Sequence, residues 1–233
     1  MTAPRRTSGE RRRAPRGQAI PLQQTPTVVV AGGRPSPHLA ELTAELARAC
    51  AQQGRAAWLM DLPHAPARAS ALLARRAPDL PCWVSDGSAW SAQLDARRGG
   101  AVGGVLLVGA GAGTAAVPAL AQAGVGLVVL EQRPQAVRSA YALLKRVVLA
   151  DPTAAERLAF LVVPAHRPAK AKQIVAGLRD MARRFLAVEL DDLEIAGIGA
   201  GDAERALGLR LLTRRVLARC ARVAVSPSEV AVA

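Results

Sequence analysis

The chain has 233 residues, of which 51% are hydrophobic and 21% charged. That mixture excludes wholesale disorder and fits one α/β domain with a substantial core. The formal net charge of +13, from 31 basic and 18 acidic residues, favours acidic partners such as anionic lipid, nucleic acid or an acidic protein face. No apolar run reaches the roughly 18 to 20 residues that cross a bilayer, which excludes a spanning protein. Three scattered cysteines, Cys50, Cys82 and Cys220, offer no disulfide framework and no zinc spacing, which fits a reducing compartment.

Residues 1–24 are polar, carry Arg5, Arg6, Arg11, Arg12, Arg13 and Arg16, and lack hydrophobic periodicity. They read as a flexible arm. No apolar stretch follows the arginines as a secretory signal requires, and Pro4, Pro15 and Pro21 oppose the amphipathic helix of an import leader. The expected location is therefore cytoplasmic. From residue 25 onward, short apolar runs alternate with helical stretches. The runs are 27–31, 56–60, 105–108, 126–130, 160–163 and, more weakly, 193–198. Each is continuous rather than alternating, as strands covered on both faces require. Helical periodicity occupies 38–53, 66–77, 114–123, 134–149, 168–186 and 203–222. In the first of these, Leu39, Leu42, Leu46 and Ala49 recur at helical spacing and Gly54 follows as a stop. The alternation predicts a three-layer α/β fold, with a doubly wound, mostly parallel sheet in a single domain over 25–202. A basic amphipathic helix over 203–223 and a tail over 224–233 complete the chain.

In such a sheet, ligands bind at the carboxyl ends of the strands, chiefly after the first. There the chain reads Gly32-Gly33-Arg34-Pro35-Ser36-Pro37-His38-Leu39-Ala40. A phosphate cradle needs consecutive backbone N–H donors, a Lys against the phosphates and a Ser or Thr for magnesium. Two prolines each remove a donor, and no Lys-Ser/Thr pair opens the helix. The second run ends at Asp61, which reads equally as a residue orienting water or magnesium and as a cap for the following segment. No carboxylate stands at the tip of the third run. His38, His64 and His166 make no metal-spaced pair, and Ser36 lacks a nucleophile elbow.

Three stretches together resemble the MinD/ParA class of deviant P-loop ATPases, and within it the flagellar-number regulators. Leu46-Ala47-Arg48-Ala49-Cys50-Ala51-Gln52-Gln53-Gly54, followed by Trp58-Leu59-Met60-Asp61, is similar to that class's "LAxxLAxxGxxVLLxD". Residues 128–137 and 139–145 resemble its "VVxxxPxxxxxxAYxLxK" stretch. Residues 182–190, with Ile195-Ala196-Gly197-Ile198, resemble the flagellar branch's "xxFLxVxLxxLGxIP". The resemblance implies a P-loop NTPase fold.

Carried over residue by residue, the resemblance places the family's K-G-G-V-G-K-T on residues 34–40. Its signature Lys becomes Arg34, its phosphate-loop Lys becomes Leu39 and its magnesium Thr becomes Ala40. The Asp ending the third run becomes Gly109, and the base-reading Asn falls near Pro164. Gly32, Gly33, Arg34, Ser36 and Asp61 remain as a degenerate nucleotide site, with Asp61 the remnant of a catalytic set. Loss of a charge-assisted phosphate contact and of the metal anchors implies a pseudo-ATPase, for which ATP and magnesium are not expected as cofactors.

Residues 17–23 resemble the "DQAxGLR" segment with which flagellar regulators dock on a signal-recognition-type GTPase, which would make Gln18 a partner-binding residue. On the last helix, Leu209, Leu212 and Val216 form an apolar stripe among Arg214, Arg215 and Arg219. The resemblance implies a peripheral contact of that stripe with anionic inner membrane; packing of the stripe on the sheet is the competing reading. A homodimer is compatible with the class. Three functions follow: a pseudo-ATPase regulator of flagellar number or placement, an active ATPase using Arg34 and Asp61, and an Arg-rich partition protein on nucleic acid. The last ranks lowest, because the arm has no aromatic residue to stack bases.

Overall fold

The computed structural model describes residues 26–62, 68–85 and 104–225. The expected arm, with Gln18, and residues 226–233 of the expected tail lie outside the described residues. Strand β1 (Thr27–Gly32) leads into helix α1 (Pro37–Gln52), then β2 (Ala57–Asp61), α2 (Ala69–Arg76) and β3 (Cys82–Val84). Strand β4 (Val105–Ala112) is followed by a 3₁₀ turn at Gly113–Ala116 and the short helix α3 (Val117–Ala121). Then come β5 (Val125–Leu130), α4 (Pro134–Ala150), β6 (Leu158–Ala165), α5 (Pro168–Leu186), β7 (Gly197–Gly199) and α6 (Asp202–Val225).

The described strands form one seven-stranded sheet in the order β3-β2-β4-β1-β5-β6-β7, and every pairing is parallel. β1 and β5 are buried along their whole length, which is why their sequences are unbroken apolar runs. Side chains alternate between two cores. Val29, Leu106, Val108, Val128 and Phe160 face α3, α4 and α5 through residues such as Leu120, Leu144 and Leu178. Val28, Val30, Leu107, Leu127 and Leu161 face α1, α2 and α6 through Leu42, Leu46, Leu73 and Leu212. Each fully buried leucine contributes about 1.5–3 kcal/mol, so these two apolar layers hold the three-layer fold together.

Several expected elements are placed differently. The weak run 193–198 is a strand only at Gly197–Gly199; Leu193 is buried from an irregular connection, and Glu194 turns the chain at φ 58. The helix expected at 114–123 is a 3₁₀ turn followed by five helical residues. β3, three residues at the sheet edge, was not expected, because so short a run carries no periodicity.

The last helix corrects a site expectation. Leu209, Leu212 and Val216 are not membrane-facing: they are buried in the core beneath α1, together with Cys220. Polar contacts fix this orientation. Arg205 reaches Glu45 at 2.9 Å, Arg215 pairs with Glu194, and Arg219 pairs with the buried Asp191. Arg214 is exposed. The stripe faces the sheet because apolar area removed from water there is already matched by an apolar surface. The helix is thus part of the domain rather than an appendage after residue 202. Among the described residues, no helix is long and apolar enough to cross a membrane.

Candidate functional site

β1 lies between β4 and β5. The chain leaves it toward β2 on one side and later returns to build β5, β6 and β7 on the other. That reversal opens a crevice at the carboxyl ends of β1 and β5, where doubly wound sheets bind ligands. Here the crevice is a cleft of about 190 Å³, lined among others by Gly33, Arg34, Ser36, Glu131, Arg133 and Gln135.

The loop after β1 uses its own hydrogen-bond donors. Ser36 is the N-cap of α1 in an extended conformation, and its hydroxyl oxygen accepts from the His38 N–H at 3.3 Å. The Leu39 N–H donates to the Ser36 carbonyl at 3.2 Å, and Pro35 and Pro37 have no N–H at all. The His38 and Leu39 amides at the start of α1 are thus bonded within the turn itself. Leu39 is buried with its methyls against Gly32, where an added Cβ would lie 3.1 Å from Leu39 Cδ1. Ala40 is buried as well.

The opposite wall closes on this loop. The Ser36 hydroxyl donates to Glu131 Oε1 at 3.1 Å, and Arg133 Nε lies 3.2 Å from Glu131 Oε2. Arg34 Nη1 donates to Gln135 Oε1 at 2.6 Å. Gly33 rests directly on the α4 backbone: a Cβ there would lie 2.3 Å from the Ser139 carbonyl carbon and 2.5 Å from the Ala140 nitrogen. The Gln132 side chain donates to the Arg167 carbonyl at 2.8 Å and accepts from the Arg167 N–H at 3.2 Å, joining the tops of β5 and β6. Gly33, Arg34 and Ser36 are therefore brought together, but around Glu131 and Gln135.

Asp61 stands apart from them. Its register partner is Gly109 on β4, whose partner on β1 is Val30, so it lies two strands from the loop, about 10 Å at ordinary strand spacing. Its side chain is fully buried, and Oδ2 accepts from the Ser70 N–H at 2.7 Å. Ser70 is in the first turn of α2, whose N-cap Arg68 supplies no side-chain bond, so Asp61 caps that helix and faces the positive end of its dipole. Burial pushes the Asp61 carboxyl above its ordinary pKa, against the lowering effect of the Ser70 hydrogen bonds. Oδ1 has no partner among the described residues. It leans into the space beside Gly109, where an added Cβ would come within 2.6 Å. The glycine at 109 and the position of Asp61 are thus linked by volume.

Among the described residues, no group of three His, Cys, Asp or Glu side chains could hold a metal ion. His38 pairs with Glu41 at 3.2 Å, His166 is exposed, and His64 lies outside the described residues. Glu131, Gln135 and Ser70 received no role from the sequence. Glu131 could have been singled out as the first polar residue after a buried run, had the neighbour relation of β1 and β5 been known.

No protein-family model and no curated protein matches the chain. Among solved structures, the MinD cell division protein of Aquifex aeolicus superposes with a TM-score of 0.56 at 14% sequence identity, covering 85% of this chain and 96% of that one. The MinC:MinD cell division protein complex of the same organism aligns with a TM-score of 0.49 at 14% identity, over 85% of this chain and 95% of that one. The first likeness is one of fold: this chain shares the overall architecture of that MinD cell division protein.

Proposed function

We propose that this chain is a pseudo-ATPase of MinD-like fold that works through protein contacts, as a regulator of flagellar number or placement. The observation that carries the non-catalytic part is the loop after β1, whose Gly33, Arg34 and Ser36 are engaged by the chain itself. The His38 and Leu39 amides are bonded to Ser36, and a carboxylate from Glu131 sits on the Ser36 hydroxyl. A triphosphate needs open N–H groups and a cation in that position. Leu39 supplies no charge, and Arg34 is bound to Gln135. Asp61 caps α2 from a fully buried position two strands away from the loop, which removes it from the place of an attacking water.

The flagellar assignment rests on the sequence resemblance at 128–145 and 182–198. A signal-recognition-type GTPase contacting Gln18 is the partner that the resemblance suggests. Fold likeness alone assigns no activity, which makes solution tests decisive. Calorimetric titration of the full chain with ATP and magnesium is expected to give no saturable heat, and phosphate release is expected to equal the buffer blank. Micromolar binding with turnover that disappears in Asp61→Ala would establish the active-ATPase reading instead. For the partner, a flagellar GTPase of the signal-recognition type is expected to be retained by the wild-type chain and lost with Gln18→Ala.

A further inference from the structure

The crevice between β1 and β5 is not simply empty of charge. Among its lining residues is one carboxylate, Glu131, at the N-terminal end of α1 and within reach of the Arg133 guanidinium. The Ser36 hydroxyl donates to its Oε1 at 3.1 Å, and Arg133 Nε approaches its Oε2 at 3.2 Å. These are the contacts that a bound oxyanion makes: a hydroxyl, a guanidinium and the positive end of a helix dipole. α1 has no acidic residue in its first turn, and neither does α4, so Glu131 is the acidic side chain on which the two helix starts converge.

From this geometry we infer that Glu131 is an intramolecular plug: the chain's own carboxylate takes the seat of an exogenous anion in the cleft and ties the β1 loop to the β5 side. The inference rests on the pseudo-ATPase reading and adds its cause on the β5 side. Three contacts share that tie. Glu131 holds Ser36, Gln135 holds Arg34, and the α4 backbone at Ser139–Ala140 receives Gly33 without space for a side chain. Withdrawing the carboxylate leaves Ser36, Arg34 and Arg133 facing one cavity with no counter-ion. An anion then meets attraction where it previously met a like charge. Near a protein surface, removing a like charge at hydrogen-bonding range changes anion affinity by about tenfold or more.

The test uses the full chain as wild type, Glu131→Gln and Glu131→Ala, with inorganic pyrophosphate as the probe at matched ionic strength. The readouts are the shift in melting temperature and hydrogen exchange over residues 33–40 and 131–140. Wild type is expected to show no saturable shift. Both variants are expected to gain one, with affinity at least about tenfold above wild type, and adding Arg34→Ala is expected to remove the gain. Glu131→Gln keeps an oxygen that accepts from Ser36, so its exchange is expected to stay near wild type while its anion affinity rises. Glu131→Ala is expected to exchange faster at Gly33 and Arg34. Glu131→Gln preserves size and hydrogen bonding, and therefore carries the test if Glu131→Ala folds poorly. Variants that bind pyrophosphate no tighter than a silent wild type overturn the plug and leave the pseudo-ATPase reading standing. Saturable pyrophosphate binding by wild type itself overturns the plug, and ATP turnover by wild type overturns the functional reading independently.

Discussion

Replacing Gly33 by alanine drives one carbon atom into the backbone of another helix. The added Cβ would stand 2.3 Å from the Ser139 carbonyl carbon, 2.4 Å from its oxygen and 2.5 Å from the Ala140 nitrogen. Ordinary contact needs about 1 Å more at each atom, and no rotamer change can supply it, because all three belong to main chain. The loop must retreat from α4, stretching the Ser36–Glu131 and Arg34–Gln135 bonds. Overpacking of this kind costs about 1–3 kcal/mol. Gly33 is not among the residues at positive φ, so alanine also restricts the unfolded chain and returns about 0.4–1 kcal/mol. The net loss is about 1–2 kcal/mol, or about 2–8 °C in melting temperature for a chain of this size. Gly177, inside α5 with nothing near its Cβ position, is the control: Gly177→Ala is expected to stabilise by about 0.8–1 kcal/mol. Both are measured by thermal and urea unfolding of the full chain. If Gly33→Ala melts with the wild type while Gly177→Ala behaves as expected, the loop is not seated on α4 and the tie between the β1 loop and the β5 side is wrong.

Asp61 gives a pH signature. Its folded pKa is raised by burial, so the folded state holds the proton more tightly than the unfolded one. The stability it contributes is full below the unfolded value near about 3.9 and is lost as pH rises through the higher folded value. Asp61→Asn keeps an acceptor for the Ser70 N–H, and its stability relative to wild type is expected to improve from pH 4 to pH 7 in urea titrations; a flat difference contradicts the dry setting. Leu212, fully buried on α6, is expected to cost about 2–5 kcal/mol as alanine. Leu211, 44% exposed one residue earlier, is expected to cost within about 0.5 kcal/mol as alanine, and equal losses would show that α6 does not present the stripe to the sheet. Burial pushes the thiols of Cys50 and Cys220 up to about 12, whereas Cys82 is only half-buried. Iodoacetamide at pH 8 is therefore expected to label Cys82 first, with the other two labelled on unfolding; mass spectrometry of the peptides decides it.

What the sequence by itself determined is the set of elements whose signal is local. Continuous apolar runs identified β1, β2, β4, β5 and β6, because burial on both faces leaves a strand mostly apolar on either side. The spacing of Leu39, Leu42, Leu46 and Ala49 identified α1, because one helical stripe must meet the sheet. That Leu39, Ala40 and Gly109 offer no charge and no hydroxyl was equally readable, since a missing polar group needs no coordinates. Tertiary structure decided everything that depends on which strands become neighbours. Glu131 is 95 positions from Ser36 in the chain, and only the insertion of β1 between β4 and β5 places them in contact. The direction of the Asp61 side chain was equally out of reach of the sequence; Ser70 in the first turn of α2 gives its Oδ2 a capping bond. The stripe on α6 was equally apolar for a membrane or for a sheet. Packing against α1 decided that, through the water released from both surfaces and the ion pairs to Glu45, Glu194 and Asp191 that fix the rotation of the helix.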